Sequence, residues 1–137
     1  LATLLEGGVR LLVGRAGRGK STLVGALVRA VEATGGQCCL VATTGAAARQ
    51  LAEATRRPAA TLHRGLGLRR EDGGTWPPRR RRHGGRRLEA RVIVIDEAGM
   101  LGTTVAAEVL RRVDPARSAL VLVGDTEQLG PIGPGRV

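Results

Sequence analysis

Gly14-Arg15-Ala16-Gly17-Arg18-Gly19-Lys20-Ser21 decides how the rest of the chain is read. It fits G-x-x-x-x-G-K-[ST], a loop that leads from a strand into a helix and wraps phosphate. Upstream, Val9 to Val13 is an apolar run broken only by Arg10, which predicts a buried strand. Downstream, Thr22 to Ala33 predicts a helix with Leu23, Ala26, Leu27 and Ala30 on one stripe. Phosphate oxygens need backbone N–H donors at close range. Gly14, Gly17 and Gly19 remove the Cβ atoms that would block the approach, and the helix N-terminus adds its dipole. Lys20 then serves the β and γ phosphates and the Ser21 hydroxyl serves Mg²⁺. Taken alone, the loop is also what a glycine-rich turn looks like in a chain with 21 glycines.

Arg91-Val-Ile-Val-Ile-Asp96-Glu97 supplies a second element. Four β-branched apolar residues, too uniform for a half-exposed strand, end in two adjacent carboxylates. Ligands of open parallel sheets collect at the C-terminal ends of the strands, which places Asp96 beside the glycine loop. Asp96 suits Mg²⁺, and Glu97 is placed to orient and deprotonate an attacking water. The bland alternative is a pair of acids capping the next helix. A third run, Ala119 to Gly124, is again apolar and opens into Asp125-Thr-Glu-Gln128-Leu129. Gln128 can both donate to a phosphate oxygen and accept from water, so it suits sensing of the γ-phosphate.

With these three elements, the chain resembles the first motor domain of superfamily 1 DNA helicases of the RecD-like type, a group that includes the helicase parts of conjugative relaxases. The resemblance covers nearly the whole chain. Gly14 to Ser21 looks like motif I, Ala42-Thr43-Thr44-Gly45-Ala46-Ala47-Ala48 like motif Ia, and Thr61-Leu62-His63-Arg64 like the family's TLH segment. Val92 to Met100 and Leu120 to Gly135 complete the set, and the wording around Asp96-Glu97-Ala-Gly-Met100 leans toward the relaxase branch. The resemblance implies a single α/β domain over residues 1–137, a RecA-like P-loop NTPase with a parallel sheet flanked by helices in three layers. It implies that the strand ending at Gly124 lies between those ending at Gly14 and Asp96. It further implies an ATP and Mg²⁺ site. Catalytic roles fall on Lys20, Glu97 and Gln128, and nucleotide contacts on Gly14, Gly17, Arg18, Gly19, Lys20, Ser21, Thr22, Asp96 and Gln128. Ser21 and Asp96 take the metal, and Thr44, Gly45 and His63 lie along single-stranded DNA. Thr43 and Thr44 also read as a helix N-cap pair, since Gly45 to Ala54 looks helical, and His63 equally suits a packed or capping role.

The chain departs from the family pattern at Arg18, where a threonine is usual, and at Gly130, where a proline is usual. Helicases of this class use two motor domains, the second contributing arginines to the ATP site, and 137 residues hold one. The expectation is therefore a domain that binds ATP–Mg²⁺, hydrolyses it slowly and does not unwind DNA alone. A second RecA-like domain, and nuclease or relaxase modules, are the expected companions.

Charge points the same way. The chain carries 22 basic and 12 acidic residues, a net charge of +10, and Lys20 is its sole lysine. Such arginine bias reflects a compositional preference as well as function, yet strong basicity favours a polyanionic partner. Ten of the arginines lie from Arg64 to Arg91, among Gly73-Gly74, Pro77-Pro78 and Gly84-Gly85. Residues 69–90 are expected as a basic flexible loop, either tracking DNA phosphates with Trp76 as a stacking platform or simply solvated.

Cys38 and Cys39 sit in an apolar run that predicts the second strand, so they point to opposite faces, which disfavours a shared metal. No run reaches membrane-spanning length, and a cytoplasmic location is expected. Four strands and helices near Lys20 to Thr34, Gly45 to Thr55 and Thr103 to Arg112 are expected. Two other readings stay open: a P-loop ATPase or phosphotransferase not coupled to DNA, and a basic DNA-binding fragment with a vestigial nucleotide site.

Overall fold

The computed structural model describes residues 7–15, 17, 19–65 and 90–125. Along the chain run β1 (Gly8–Val13), α1 (Lys20–Ala33), β2 (Cys38–Ala42), α2 (Gly45–Thr55), β3 (Ala60–Thr61), α3 (Leu62–Gly65) and β4 (Val92–Asp96). A short 3₁₀ turn (Ala98–Met100), α4 (Thr103–Arg112) and β5 (Ala119–Gly124) follow. All pairings are parallel and the strand order is β1-β5-β4-β2-β3. The latest strand therefore inserts between β1 and β4, with Val13 opposite Gly124 and Ile95 opposite Leu122. That insertion brings the C-terminal ends of β1, β4 and β5 together.

Successive residues of each strand face opposite sides, and both sides are filled. On one face Val92, Val94, Ala119, Val121 and Val123 pack with Val24, Leu27, Val28 and Val31 of α1 and Leu51 of α2. On the other, Ile93, Ile95, Leu120 and Leu122 pack with Leu62 of α3, with Ala98 and Leu101, and with Val109 of α4. The result is the expected three-layer α/β/α arrangement. Each fully buried Ile or Leu contributes about 2 kcal/mol relative to exposure, so β4, whose Val92 to Ile95 are all sealed from solvent, is the anchor of the sheet. Cys38 packs toward the first cluster and Cys39 toward the second, as adjacent strand residues must.

The ends of α1 and α2 follow from local chemistry. Past the C-cap Thr34, Gly35 adopts φ +75°; its N–H donates to the Glu32 carbonyl at 2.9 Å and the Gly36 N–H to the Val31 carbonyl at 3.0 Å. This paired closure stops α1 because Gly35 accepts the left-handed conformation without a Cβ penalty. Gly25 lets α1 and α2 approach, since an added Cβ would sit 3.3 Å from the Ala54 carbonyl oxygen. A bidentate pair, Arg57 to Glu32 at 2.6 and 2.8 Å, ties the segment after α2 back to α1.

Four expectations need correcting. First, β1 is not buried: Val9, Leu11 and Val13 are 47%, 70% and 52% exposed, while Leu12 packs inward. As an edge strand, β1 pairs with β5 alone, and among the described residues nothing covers its outer side chains. Second, the buried face of α1 is Val24, Leu27, Val28 and Val31, rotated from the Leu23, Ala26, Leu27 and Ala30 stripe toward the bulkier residues. Third, a fifth strand exists, because Val41 and Ala42 pair with Ala60 and Thr61. Fourth, the segment after β3 turns at once into α3, a helix beyond the three expected, whose Leu62 is 1% exposed. Of the expected basic loop, residues 69–89 lie outside the described residues. Among the described residues, no helix is long and apolar enough to cross a membrane.

Candidate nucleotide site

The glycine loop follows β1, and its shape is set by Gly17 and Gly19, both at φ +74°. Among the described residues, chain neighbours aside, an added Cβ at either would meet no atom within 4 Å, so glycine is required for the backbone conformation. Gly19 is the N-cap of α1 and supplies no side-chain cap, and no acid occupies the first turn. The first N–H groups of a helix have no acceptor within it, so this end suits an outside anion.

An open cleft of about 350 Å³ sits over the loop. It is lined by Gly17, Gly19, Lys20 and Ser21 from the loop and α1, Gln50 from α2, Asp96 and Glu97 from the end of β4, and Gly124 and Asp125 from the end of β5. Among the expected site residues, the fold therefore gathers Gly17, Gly19, Lys20, Ser21, Asp96 and Glu97. Gly14 touches the site through its carbonyl, which accepts a hydrogen bond from Lys20 Nζ. Thr22 lies on α1 with an exposed side chain and does not line the cleft. Arg18 and Gln128 lie outside the described residues.

Lys20 is folded back on its own loop. Its ammonium donates to the carbonyls of Gly14 and of Arg15, the latter at 2.9 Å, and stands 3.9 Å from Asp125 Oδ2. Asp125 is 6% exposed at its side chain, and the reading from sequence gave it no role. The signal was there: Asp125 directly follows an apolar strand, much as Asp96 closes one. Gln50 carried no such signal, because only the packing of α2 against the sheet brings its position over the loop.

The Asp96 carboxyl is half-buried. Burial pushes it up from its ordinary value, while the Glu97 N–H, donating to Oδ1 at 2.9 Å, and the nearby Lys20 charge pull it down. Three carboxylates and one ammonium thus share the cleft, so a polyphosphate fits only with a divalent cation to offset the acids. Among the described residues no three His, Cys, Asp or Glu gather closely enough to hold a metal by themselves. This donor set suits an ion shared with phosphate oxygens, with Ser21 and Asp96 as the protein's share.

Glu97 is held unusually. Its backbone is left-handed, φ +54° and ψ +39°, a conformation that costs a non-glycine residue about 1 kcal/mol or more. Two threonines from the β2–α2 junction secure it. Thr43 donates to the Glu97 carbonyl at 3.5 Å, and Thr44 Oγ1 donates to Glu97 Oε2 at 3.3 Å. Thr44 is also the N-cap of α2, its hydroxyl accepting from the Ala47 N–H at 3.1 Å.

The three residues expected along DNA fall on one edge of the sheet. Ala42 pairs with Thr61, so Thr44 and His63 each lie two residues beyond a paired position, and Gly45 opens α2 beside them. His63 is exposed on α3 and does not line the cleft.

The family model of the AAA domain matches residues 1–137. The ATP-dependent RecD2 DNA helicase of Deinococcus radiodurans is 38% identical over 128 residues, covering 91% of this chain and 16% of that protein. The RecBCD enzyme subunit RecD of Mycolicibacterium smegmatis is 36% identical over 156 residues, covering 97% of this chain and 27% of that protein. The chain thus spans under a third of either relative. The structure of unliganded Pif1 from Bacteroides sp superposes with a TM-score of 0.64 at 24% identity, over 97% of this chain and 31% of that one, a likeness of fold.

Proposed function

The chain belongs to the AAA domain family, as an N-terminal motor domain of the superfamily 1 RecD-like helicase type, and from that premise we propose that it binds ATP with Mg²⁺ and hydrolyses it to drive movement on DNA. The observation that supports this reading is the convergence of Lys20, Ser21, Asp96 and Glu97, from the loop, α1 and the end of β4, on one cleft above an uncapped helix N-terminus.

In this reading the N–H groups from Gly17 to Ser21 wrap the phosphates. Lys20 leaves the Gly14 and Arg15 carbonyls for the β and γ phosphate oxygens, a short swing for a flexible side chain. Mg²⁺, held by Ser21 and Asp96 together with the phosphates, would neutralise charge that builds up during transfer. Glu97 orients the attacking water and takes its proton. Gln128 senses the γ-phosphate, and Arg18 is counted among the nucleotide contacts. Thr44, Gly45 and His63, beside one another beyond β2 and β3, meet single-stranded DNA. The basic segment 69–90 adds electrostatic attraction that weakens with salt. A second RecA-like domain supplies arginines from across the cleft, a contribution worth roughly three to five powers of ten in rate. By themselves these 137 residues therefore turn ATP over slowly and displace no strand. Nuclease or relaxase modules are further companions on this reading, and the cytoplasm is its compartment.

The test is the affinity of the purified chain for ATP–Mg²⁺ with and without Lys20→Ala, then turnover with and without single-stranded DNA. Equal affinity in the two chains would refute the nucleotide site. Turnover indifferent to DNA, once a second motor domain is supplied, would favour an ATPase uncoupled from DNA.

A further inference from the structure

Thr44 touches both halves of the proposed machine, and we infer that it is the positioning residue for Glu97, aiming the water-handling carboxylate through the same hydroxyl that caps α2. The inference rests on the ATPase reading above and adds to it a physical link between the nucleotide cleft and the segment placed along DNA.

The geometry assigns both uses to one oxygen without conflict. A threonine hydroxyl has one hydrogen and two lone pairs. Its hydrogen goes to Glu97 Oε2 at 3.3 Å, and a lone pair takes the Ala47 N–H at 3.1 Å. Glu97 is fixed at three points. Its backbone is held in the left-handed region, its carbonyl accepts from Thr43 and from the Met100 N–H at 3.0 Å, and its carboxylate accepts from Thr44. Only the last of these acts on the carboxylate. Without it the side chain rotates about its own torsions at the edge of an open cleft, and a base that must meet water in one direction spends less time there. With it, Oε2 is engaged and Oε1 is left for water.

The hydroxyl also joins the start of α2 to the Glu97 carboxylate, beside the bond from Thr43 to the Glu97 carbonyl. The first turn of α2 closes on Thr44, whose carbonyl accepts from the Ala48 N–H at 3.0 Å. Ala42, Ala47 and Ala48 pack tightly together there, so α2 moves with its cap. A displacement of that helix start reaches the Glu97 carboxylate through the Thr44 hydrogen bond, and DNA seated at Thr44 and Gly45 would act at that point.

Four substitutions separate aiming from capping. Thr44→Asp keeps a strong cap acceptor but has no hydrogen for Glu97 and sets a second negative charge beside it. Thr44→Asn caps equally well and has an amide hydrogen to give; Thr44→Ser keeps the hydroxyl; Thr44→Val removes everything. Single-turnover ATP hydrolysis by the 137-residue chain at saturating ATP–Mg²⁺ is the readout, with ATP affinity and thermal midpoint measured alongside. Thr44→Asp is expected to lose about tenfold or more in turnover, the usual scale for one hydrogen bond to a charged group. Thr44→Ser and Thr44→Asn should recover most of the rate, with affinity and midpoint near those of the parent chain. In a Glu97→Gln background the Thr44→Asp loss should vanish, because the two changes remove one unit. Equal turnover for Thr44→Asp and Thr44→Asn would overturn the aiming role while leaving the ATPase reading intact. So would a loss that tracks the thermal midpoint across the series. A parent chain that binds no ATP would overturn the ATPase reading and this inference with it.

Discussion

Replacing Asp125 with asparagine should weaken the fold and yet strengthen ATP binding. The carboxylate stands 3.9 Å from Lys20 Nζ, too far for a direct hydrogen bond, so the attraction is Coulombic. At an effective dielectric near 20 the gross term is about 4 kcal/mol. Both groups have given up water, with side chains 18% and 6% exposed, and the ammonium keeps two carbonyl acceptors whatever happens at position 125. Desolvation takes back more than half, leaving a net value of about 1–2 kcal/mol. Asparagine preserves the shape and removes the charge. Urea unfolding without nucleotide should therefore show Asp125→Asn less stable by about 1–2 kcal/mol. Binding to phosphate draws Lys20 away from Asp125, so the variant has less to give up, and its ATP–Mg²⁺ affinity should rise by about five- to thirtyfold, the same free energy expressed as binding. Lys20→Ala, by contrast, should lose affinity. If Asp125→Asn loses ATP binding as Lys20→Ala does, Asp125 serves the bound state, and its role as a resting partner for Lys20 is wrong.

Three further outcomes follow from the packing. Burial, with smaller help from Glu32 and Cys39, pushes the Cys38 thiol up to about 11, and burial also raises Cys39. Roughly 0.1% of Cys38 is then thiolate at pH 8, so iodoacetamide should label the native chain far more slowly than the urea-unfolded chain, and equal rates would contradict the partly buried placement. Gly36→Ala places a Cβ 2.8 Å from Val31 Cγ1 and 3.2 Å from the Val31 carbonyl oxygen, within the closure of α1. It should cost about 1–3 kcal/mol in a denaturant melt, and an unchanged midpoint would mean that Val31 has room to move. Hydrogen bonding to Arg57 holds the Glu32 carboxyl below its ordinary value of 4.5. A lowered carboxylate stabilises the fold above its unfolded value and stops doing so as pH falls through the folded one. The small stability gap between the parent chain and Arg57→Ala should hold at neutral pH and close below pH 4.5, so a gap that persists in acid would exclude the pair as its source.

Much of the fold was legible because several local signals agreed. The apolar runs ending at Asp96 and Gly124 are β-branched and leucine-rich throughout, which only a strand buried on both faces requires, and both proved central. The run from Val9 to Val13 looks much the same in sequence but belongs to an edge strand, because burial depends on the neighbours that topology supplies and not on the run itself. Ala60–Thr61 escaped notice for a different reason. Two residues carry no periodicity, and they are a strand only because Val41 and Ala42 lie alongside.

The site divides along the same line. Lys20, Ser21, Asp96 and Glu97 were readable because each sits at a fixed offset from an element boundary, and boundaries are what sequence marks. Asp125 follows the end of β5 by one residue, close to the offset of Asp96 at the end of β4, so an acid just past a buried strand should be weighed as well. Thr44 is the instructive case, since its capping of α2 was legible and is confirmed by the bond to Ala47. Its hold on Glu97 was not, because the two residues are 53 positions apart and meet only when β2 pairs with β4, Ala42 opposite Asp96. The register that makes the sheet also fixes which cap reaches which carboxylate. A one-residue slip of β2 against β4 would turn alternate side chains to the wrong face and carry Thr44 away from Glu97 in the same movement. Selection for a packed sheet and selection for a held carboxylate therefore act here on one quantity, the pairing of Cys38–Ala42 with Val92–Asp96.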